Sequence, residues 1–265
     1  MVKYLIMKEG GRNMRERLHI ATVCSQHREI LDRWGIGVEL DQFCMAASMK
    51  GEARQAADRE IAELKAVAGG MILHAPFNEL FPAAIDPDAR ALAMRRFGEA
   101  AEIAAENGIS RMVVHSGYVP FVYFKEWHRD RSVEFWEEFM ADKPDDFIIT
   151  IENVLDDEPY MMAEIMERIS NPNIRLCFDT GHALCVSKVP VSEWLRVLAP
   201  YLGHLHIHNN DGQYDHHSAL TEGLIDMEDF LDDVIKLCSR DTTVTLETID
   251  GLGSVEWLGK KGYLV

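Results

Sequence analysis

FIITIENVLDDEPYMMAEIMERISNPNIRLCFDTGH, residues 147 to 182, holds two apolar runs with a helical pattern between them. Phe147 to Glu152 is rich in β-branched and aromatic residues and reads as a strand. Tyr160 to Ile169 repeats apolar residues at helical spacing, and Ile174 to Phe178 reads as the next strand. The order strand, helix, strand predicts a parallel βαβ unit. Both strands lead into an acid, Glu152 at the end of the first and Asp179 just after the second.

The alternation continues in both directions. Upstream lie strand Leu18 to Val23, helix Gln26 to Trp34, strand Val38 to Leu40 and helix Glu52 to Ala68, which stops at Gly69-Gly70. A strand then begins at Met71, a helix at Pro87 runs to Asn107-Gly108, and strand Met112 to His115 precedes helix Arg131 to Met140. Downstream come helix Val191 to Leu198, strand His204 to His208, helix Met227 to Cys238 and strand Thr243 to Glu247. Eight βα units without a Ser/Gly-rich linker predict one α/β domain, a closed (β/α)8 TIM barrel over residues 18–265. An open doubly wound sheet is disfavoured because no GxGxxG follows the first strand. Residues 1–17 read as an N-terminal leader without a function of its own.

Composition narrows the function. The 265 residues are 47% hydrophobic and carry a net charge of −17, a field that repels phosphate backbones and anionic lipid. Nucleic acid is therefore a disfavoured partner and a small molecule the favoured one. Nothing approaches the ~18 to 20 apolar residues of a membrane span. Five cysteines, odd in number and without a CxxC pair, fit a reduced, cytoplasmic setting. Homo-oligomerisation is left open.

Donors that can bind metal fall at one place in successive units, the C-terminal end of the strand. They are His74, His115, Glu152, Asp179, His208 and Glu247, with His182, Asp215 and His217 in the loops just beyond. In a barrel those ends converge on the face where active sites are built. Taken singly, each fits a helix cap or a hydrogen-bonded core group. Together they must explain why six consecutive strands end in His, Asp or Glu, and carboxylates crowded into one mouth repel without a cation. Imidazole with carboxylate suits Zn²⁺ or Mn²⁺. His206 reads as a partner behind the ligands, His204 as structural, and Glu39 as a residue that could line the pocket. Phe77, Tyr118, Trp127 and Trp194 are candidate apolar walls for a substrate.

At HAPF (74–77), VHSG (114–117), ENV (152–154), DTGH (179–182), HNND (208–211), DHH (215–217) and LET (246–248) the chain resembles the xylose isomerase-like barrel superfamily. That group includes sugar isomerases and epimerases and also endonuclease IV. The resemblance to the epimerases implies one divalent metal held by Glu152, Asp179, His208 and Glu247. The resemblance to endonuclease IV implies up to three zinc ions, with His74, His115, His182, Asp215 and His217 as further ligands.

Two enzymatic readings follow. In the first, a metal-dependent isomerase or epimerase acts on a small sugar or sugar derivative. Glu152 and Glu247 then remove and return a proton by way of an enediol, and His182 donates to the substrate oxyanion. In the second, a multinuclear zinc hydrolase cleaves a phosphate or other ester. The donor count suits the second. The acidic chain, with few basic residues in the loops that would grip phosphate, places the first ahead.

Overall fold

The computed structural model describes residues 11–265, so residues 1–10 of the expected leader lie outside the described residues. The strands are β1 (Leu18–Ala21), β2 (Gly37–Leu40), β3 (Met71–His74), β4 (Arg111–His115), β5 (Ile148–Glu152), β6 (Ile174–Asp179), β7 (Leu202–Ile207) and β8 (Thr243–Leu246). They pair in parallel, in chain order, and β8 closes on β1 as a barrel. The helices are α1 (His27–Trp34), α2 (Gly51–Leu64), α3 (Pro87–Glu106), α4 (Lys125–Met140), α5 (Tyr160–Arg168), α6 (Thr180–Val186), α7 (Val191–Leu198), α8 (Met227–Leu237) and α9 (Leu252–Lys261).

Helix starts follow local chemistry. Asp86 accepts from the N–H groups of Asp88 and Ala89 and Pro87 fills the first position of α3, while Asp226 caps α8 in the same way. Helix α4 begins at Lys125, earlier than the expected Arg131, because its first turn is charged and hides the apolar spacing. Described residues just upstream of β1 pack on the barrel. Met14 is buried and donates to Tyr263 O at 2.7 Å, and Arg12 pairs with Glu228 and Asp232.

The main core lies between barrel and helices, where Phe97, Phe135, Trp136 and Phe139 pack edge to face. Trp194 belongs to this layer. It is fully buried on α7, stacked on Phe178 at 5.7 Å, and donates its indole N–H to Ser187. Tyr118 is buried with Met161 and Ile165 and meets the His128 ring at 5.0 Å. Both residues therefore pack as core and are not walls of the mouth, which corrects the expectation for Tyr118 and Trp194. Trp127 is tied to the β3–α3 loop through Ala83 O.

Inside the barrel the usual branched apolar layers shrink to Ile72, Val113 and Cys177. The remaining interior is polar, with His19, Glu39, Thr150, His204, His206 and Thr245 all buried. Gly37 makes room for this, since a Cβ there would sit 2.2 Å from the His19 ring.

The loops after β4 and β5 are locked to each other by Asp156, which accepts from Ser116 Oγ at 2.6 Å and from Val154 N at 3.2 Å. Burial raises this carboxyl from 3.8 to about 6. Folding therefore favours the protonated form, and stability falls as pH rises from below 3.8 through about 6. Asp156→Asn keeps the acceptor and removes the buried charge. It is expected to gain about 2 to 3 kcal/mol at pH 8 and nothing at pH 3.5. Denaturant titrations at the two pH values check this, and equal effects at both would contradict it.

Candidate metal centre and active site

Period-two alternation places one residue from each strand end at the mouth. His74 ends β3, His115 ends β4, Glu152 ends β5 and Asp179 ends β6, while His208 and Glu247 each lie one residue past β7 and β8. Their side chains meet at one end of the barrel, which joins all six expected positions in one cluster.

Within that cluster the donors sort into groups whose ligand atoms lie within 4.8 Å of one another. At the mouth these are Glu152, Asp179, His206 and Glu247; then His74, His115 and Glu152; then His208, His217 and Glu247; deeper in the barrel the same criterion joins Glu39, His74 and His206, and Cys177, His204 and His206. Glu152 joins the first two and Glu247 joins the first and third. The four-membered group contains His206 where the sequence reading has His208. His206 Nδ1 lies 3.3 Å from Glu152 Oε1, 3.2 Å from Glu247 Oε2 and 3.7 Å from Asp179 Oδ2. The cause is register: His206 pairs directly with Asp179 across the β6–β7 ladder, which places it level with the carboxylates. His208 instead sits above, its Nε2 3.2 Å from Asp179 and its ring stacked on His217 at 4.1 Å. Gly181 leaves the space for that ring, because a Cβ would come within 1.9 Å of it.

The rest of the mouth hangs on these carboxylates. His74 Nε2 and His115 Nε2 approach Glu152 Oε2 at 3.3 and 3.4 Å. His182 Nδ1 is 3.0 Å from Asn153 O, and its Nε2 is 3.3 Å from Asp215. Asp215 also takes His217 Nε2 at 3.0 Å. Asp179 serves a second purpose, capping α6 by accepting from His182 N at 2.7 Å. Phe77 stacks on His115 at 4.3 Å and meets His74 edge-on at 5.6 Å, which puts a flat apolar face beside the second group.

Electrostatics follow from this crowding. Burial opposes ionisation of Glu152, but His206, His115 and His182 hold its carboxyl well below the usual range. Asp179, buried beside His182 and His208, is held down at about 2. His115 goes the other way, lowered to about 3 by burial with Glu152 opposing. His217, against burial, is raised to about 9 by Asp215 and Glu247.

Whether these residues suit a cation can be judged from their unused atoms. His206 Nδ1, His208 Nδ1 and Glu247 Oε2 are buried and find no hydrogen-bond partner. Buried polar atoms are nearly always paired. Three carboxylates and an imidazole nitrogen turned on one point, with two of those atoms unpaired, fit a divalent ion of the Zn²⁺ or Mn²⁺ kind.

Eight parallel strands closed on themselves, with their donors at the strand C-terminal ends, define a (β/α)8 barrel with its chemistry at that face. The chain belongs to the xylose isomerase-like TIM barrel family, whose family model matches residues 36–259. It is 29% identical over 187 residues to the uncharacterized protein MJ1311 of Methanocaldococcus jannaschii, covering 67% of this chain and 64% of that protein. A second uncharacterized protein of that organism, MJ1614, is 24% identical over 176 residues, covering 62% of this chain and 66% of that protein. Each match thus spans less than two thirds of the relative's length. The fold resembles a D-tagatose 3-epimerase-like protein with a TM-score of 0.75 at 21% identity, covering 92% of this chain and 96% of that one. It also resembles the TTHB071 protein of Thermus thermophilus, from a crystal soaked with ZnCl2, with a TM-score of 0.71 at 24% identity over 92% of this chain and 97% of that one. At these identities the likeness is one of fold. No described helix is long and apolar enough to cross a membrane.

Proposed function

We propose that the protein is a divalent-metal-dependent isomerase or epimerase acting on a small sugar or sugar derivative. The observation that carries this is the convergence of Glu152 and Glu247, from β5 and from just after β8, which lie 3.3 and 3.2 Å from His206 Nδ1. Glu152, Asp179, His206 and Glu247 would hold the cation, and bound there it supplies Lewis-acid polarisation of substrate oxygens.

The chain's own groups do the rest. Two carboxylates facing one space can take a proton from a substrate carbon on one side and return it on the other. Glu152 is kept ionised by its histidine neighbours and so is ready to accept. His182, against burial, is held well above the ordinary imidazole range by Asp179, Asp215 and Glu152. A charged imidazole at the rim donates to a developing oxyanion. The Phe77 ring gives an apolar face against which the C–H side of a sugar can lie. Loops 75–86, 116–124, 153–159, 208–226 and 247–251 contain no Lys or Arg, which favours an uncharged small molecule over a nucleic acid or a heavily phosphorylated substrate.

A second reading has its own observation. The two further donor groups, His74–His115–Glu152 and His208–His217–Glu247, have the chemistry of additional metal sites, as a multinuclear hydrolase needs. His115→Ala separates the two. For the isomerase, the variant keeps the ion at Glu152, Asp179, His206 and Glu247 and mainly raises KM. For the hydrolase, it loses about one ion per chain and its turnover of a generic phosphate diester falls by roughly 10² or more. Elemental analysis beside assays on a ketose and aldose panel and on the diester reads the outcome. Sugar turnover absent in wild type, with His115-dependent diester cleavage, overturns the isomerase reading.

A further inference from the structure

Below the donor cluster, the centre of the barrel holds a carboxylate that pairs, among the described residues, with histidines rather than with Lys or Arg. Glu39 on β2 is 1% exposed. Its Oε1 lies 2.9 Å from His206 Nε2, and its Oε2 lies 3.0 Å from His204 Nε2 and 2.5 Å from Thr245 Oγ1. A barrel interior is ordinarily filled by branched apolar side chains, and a buried carboxylate is costly unless every lone pair is used. Folding alone gives no reason for it here.

We infer that Glu39 is a positioning residue that fixes the tautomer and ring orientation of His206, so that the Nδ1 lone pair faces Glu152, Asp179 and Glu247. This rests on the proposal that those four side chains hold the metal. An ionised carboxylate only accepts, so both histidines must present an N–H at Nε2. In neutral His206 the free lone pair is then at Nδ1, the atom that lies among the three carboxylates without a hydrogen-bond partner. His204 buttresses the arrangement from below. Its Nδ1 lies 2.6 Å from Thr243 Oγ1, which Arg111 Nη1 reaches at 2.8 Å, so the arginine donates to the hydroxyl and the hydroxyl to the ring. That order leaves His204 Nε2 as a donor to Glu39. The Glu39 carboxylate is therefore anchored by β7 and β8 while it orients β7's own ligand. Partners of this kind, a carboxylate on the far nitrogen of a ligating histidine, change metal affinity by about 10- to 100-fold when removed.

The test is calorimetric and optical titration of Co²⁺ into metal-stripped full-length protein, comparing wild type with Glu39→Gln and Glu39→Asp. Gln offers one acceptor and one NH₂ and cannot receive both N–H groups; Asp keeps the charge but withdraws it from His206. Both variants are expected to bind Co²⁺ about 10- to 100-fold more weakly, with a shifted visible spectrum and unchanged stoichiometry. The metal-free Gln variant leaves a buried N–H without its acceptor and should melt below wild type, so circular dichroism at the titration temperature first establishes that both variants are folded. Wild-type affinity and spectrum in both variants would overturn the inference. So would a lower Co²⁺ count with the remaining ions bound as before, which would make Glu39 itself a ligand. If wild type binds no Co²⁺, the failure lies with the metal site and the inference falls with it.

Discussion

Asp179→Asn is expected to yield a folded barrel that has lost its tightly bound divalent ion. The substitution is selective because Asp179 has two separable duties. As the cap of α6 it accepts from His182 N, and asparagine caps helices about as well as aspartate. As a donor it contributes charge to the group with Glu152, His206 and Glu247, and asparagine contributes none. Metal affinity should fall by more than about 100-fold, beyond what loss of an outer partner costs. The metal-free variant should melt below the metal-free wild type at neutral pH, because His182 and His208 hold the Asp179 carboxyl down at about 2 and its ionised form therefore stabilises the fold. Wild type alone should then gain stability with added metal, about 2.7 kcal/mol when the free ion is at 100 times its Kd. Equal metal content in the two proteins, or no metal-dependent shift in wild type, would remove the metal from the account.

Much of this was legible in the sequence, and the parts that were not share a physical cause. The eight βα units show in the spacing, and the run of His, Asp and Glu at strand ends shows because a barrel gathers those ends. His204, His206 and His208 are different: period-two alternation gives all three the same face, and spacing cannot say which one is level with the carboxylates. That depends on the stagger of β7 against β6, where the ladder shifts between Leu176 and Cys177 and sets His206 beside Asp179. Glu39 was hard to weigh for a related reason. Its strand, Gly37–Leu40, is four residues long, and the partners that explain it are more than 160 positions away in the chain. Trp194 and Tyr118 show the limit of residue type as a guide, since an aromatic near a βα loop packs outward on a helix as readily as inward on a ligand.

Glu152→Gln and Glu247→Gln carry the second large effect. Both amides keep the shape of the side chain but neither holds a proton in transit, and because each carboxylate also belongs to the group that would hold the cation, the variants are assayed at saturating metal with bound metal measured alongside. If these carboxylates exchange a substrate proton, kcat should fall by roughly 10² to 10⁴ in each variant, the usual worth of general acid–base catalysis, with KM changed far less. Glu152 touches His74, His115, His182 and His206, so its variant should also disturb the mouth more widely. Glu247 is the cleaner probe, with His206 alone within ion-pair reach of its carboxylate among the described residues.

Solvent exchange tests the central claim most directly. Metal-reconstituted wild type is incubated in D₂O with a panel of ketoses and aldoses, and carbon-bound deuterium is read by NMR beside the Glu247→Gln variant. The account predicts deuterium at one carbon of at least one sugar in wild type and none above background in the variant. Equal incorporation in both, or no incorporation into any sugar while a phosphate diester is hydrolysed, would contradict it.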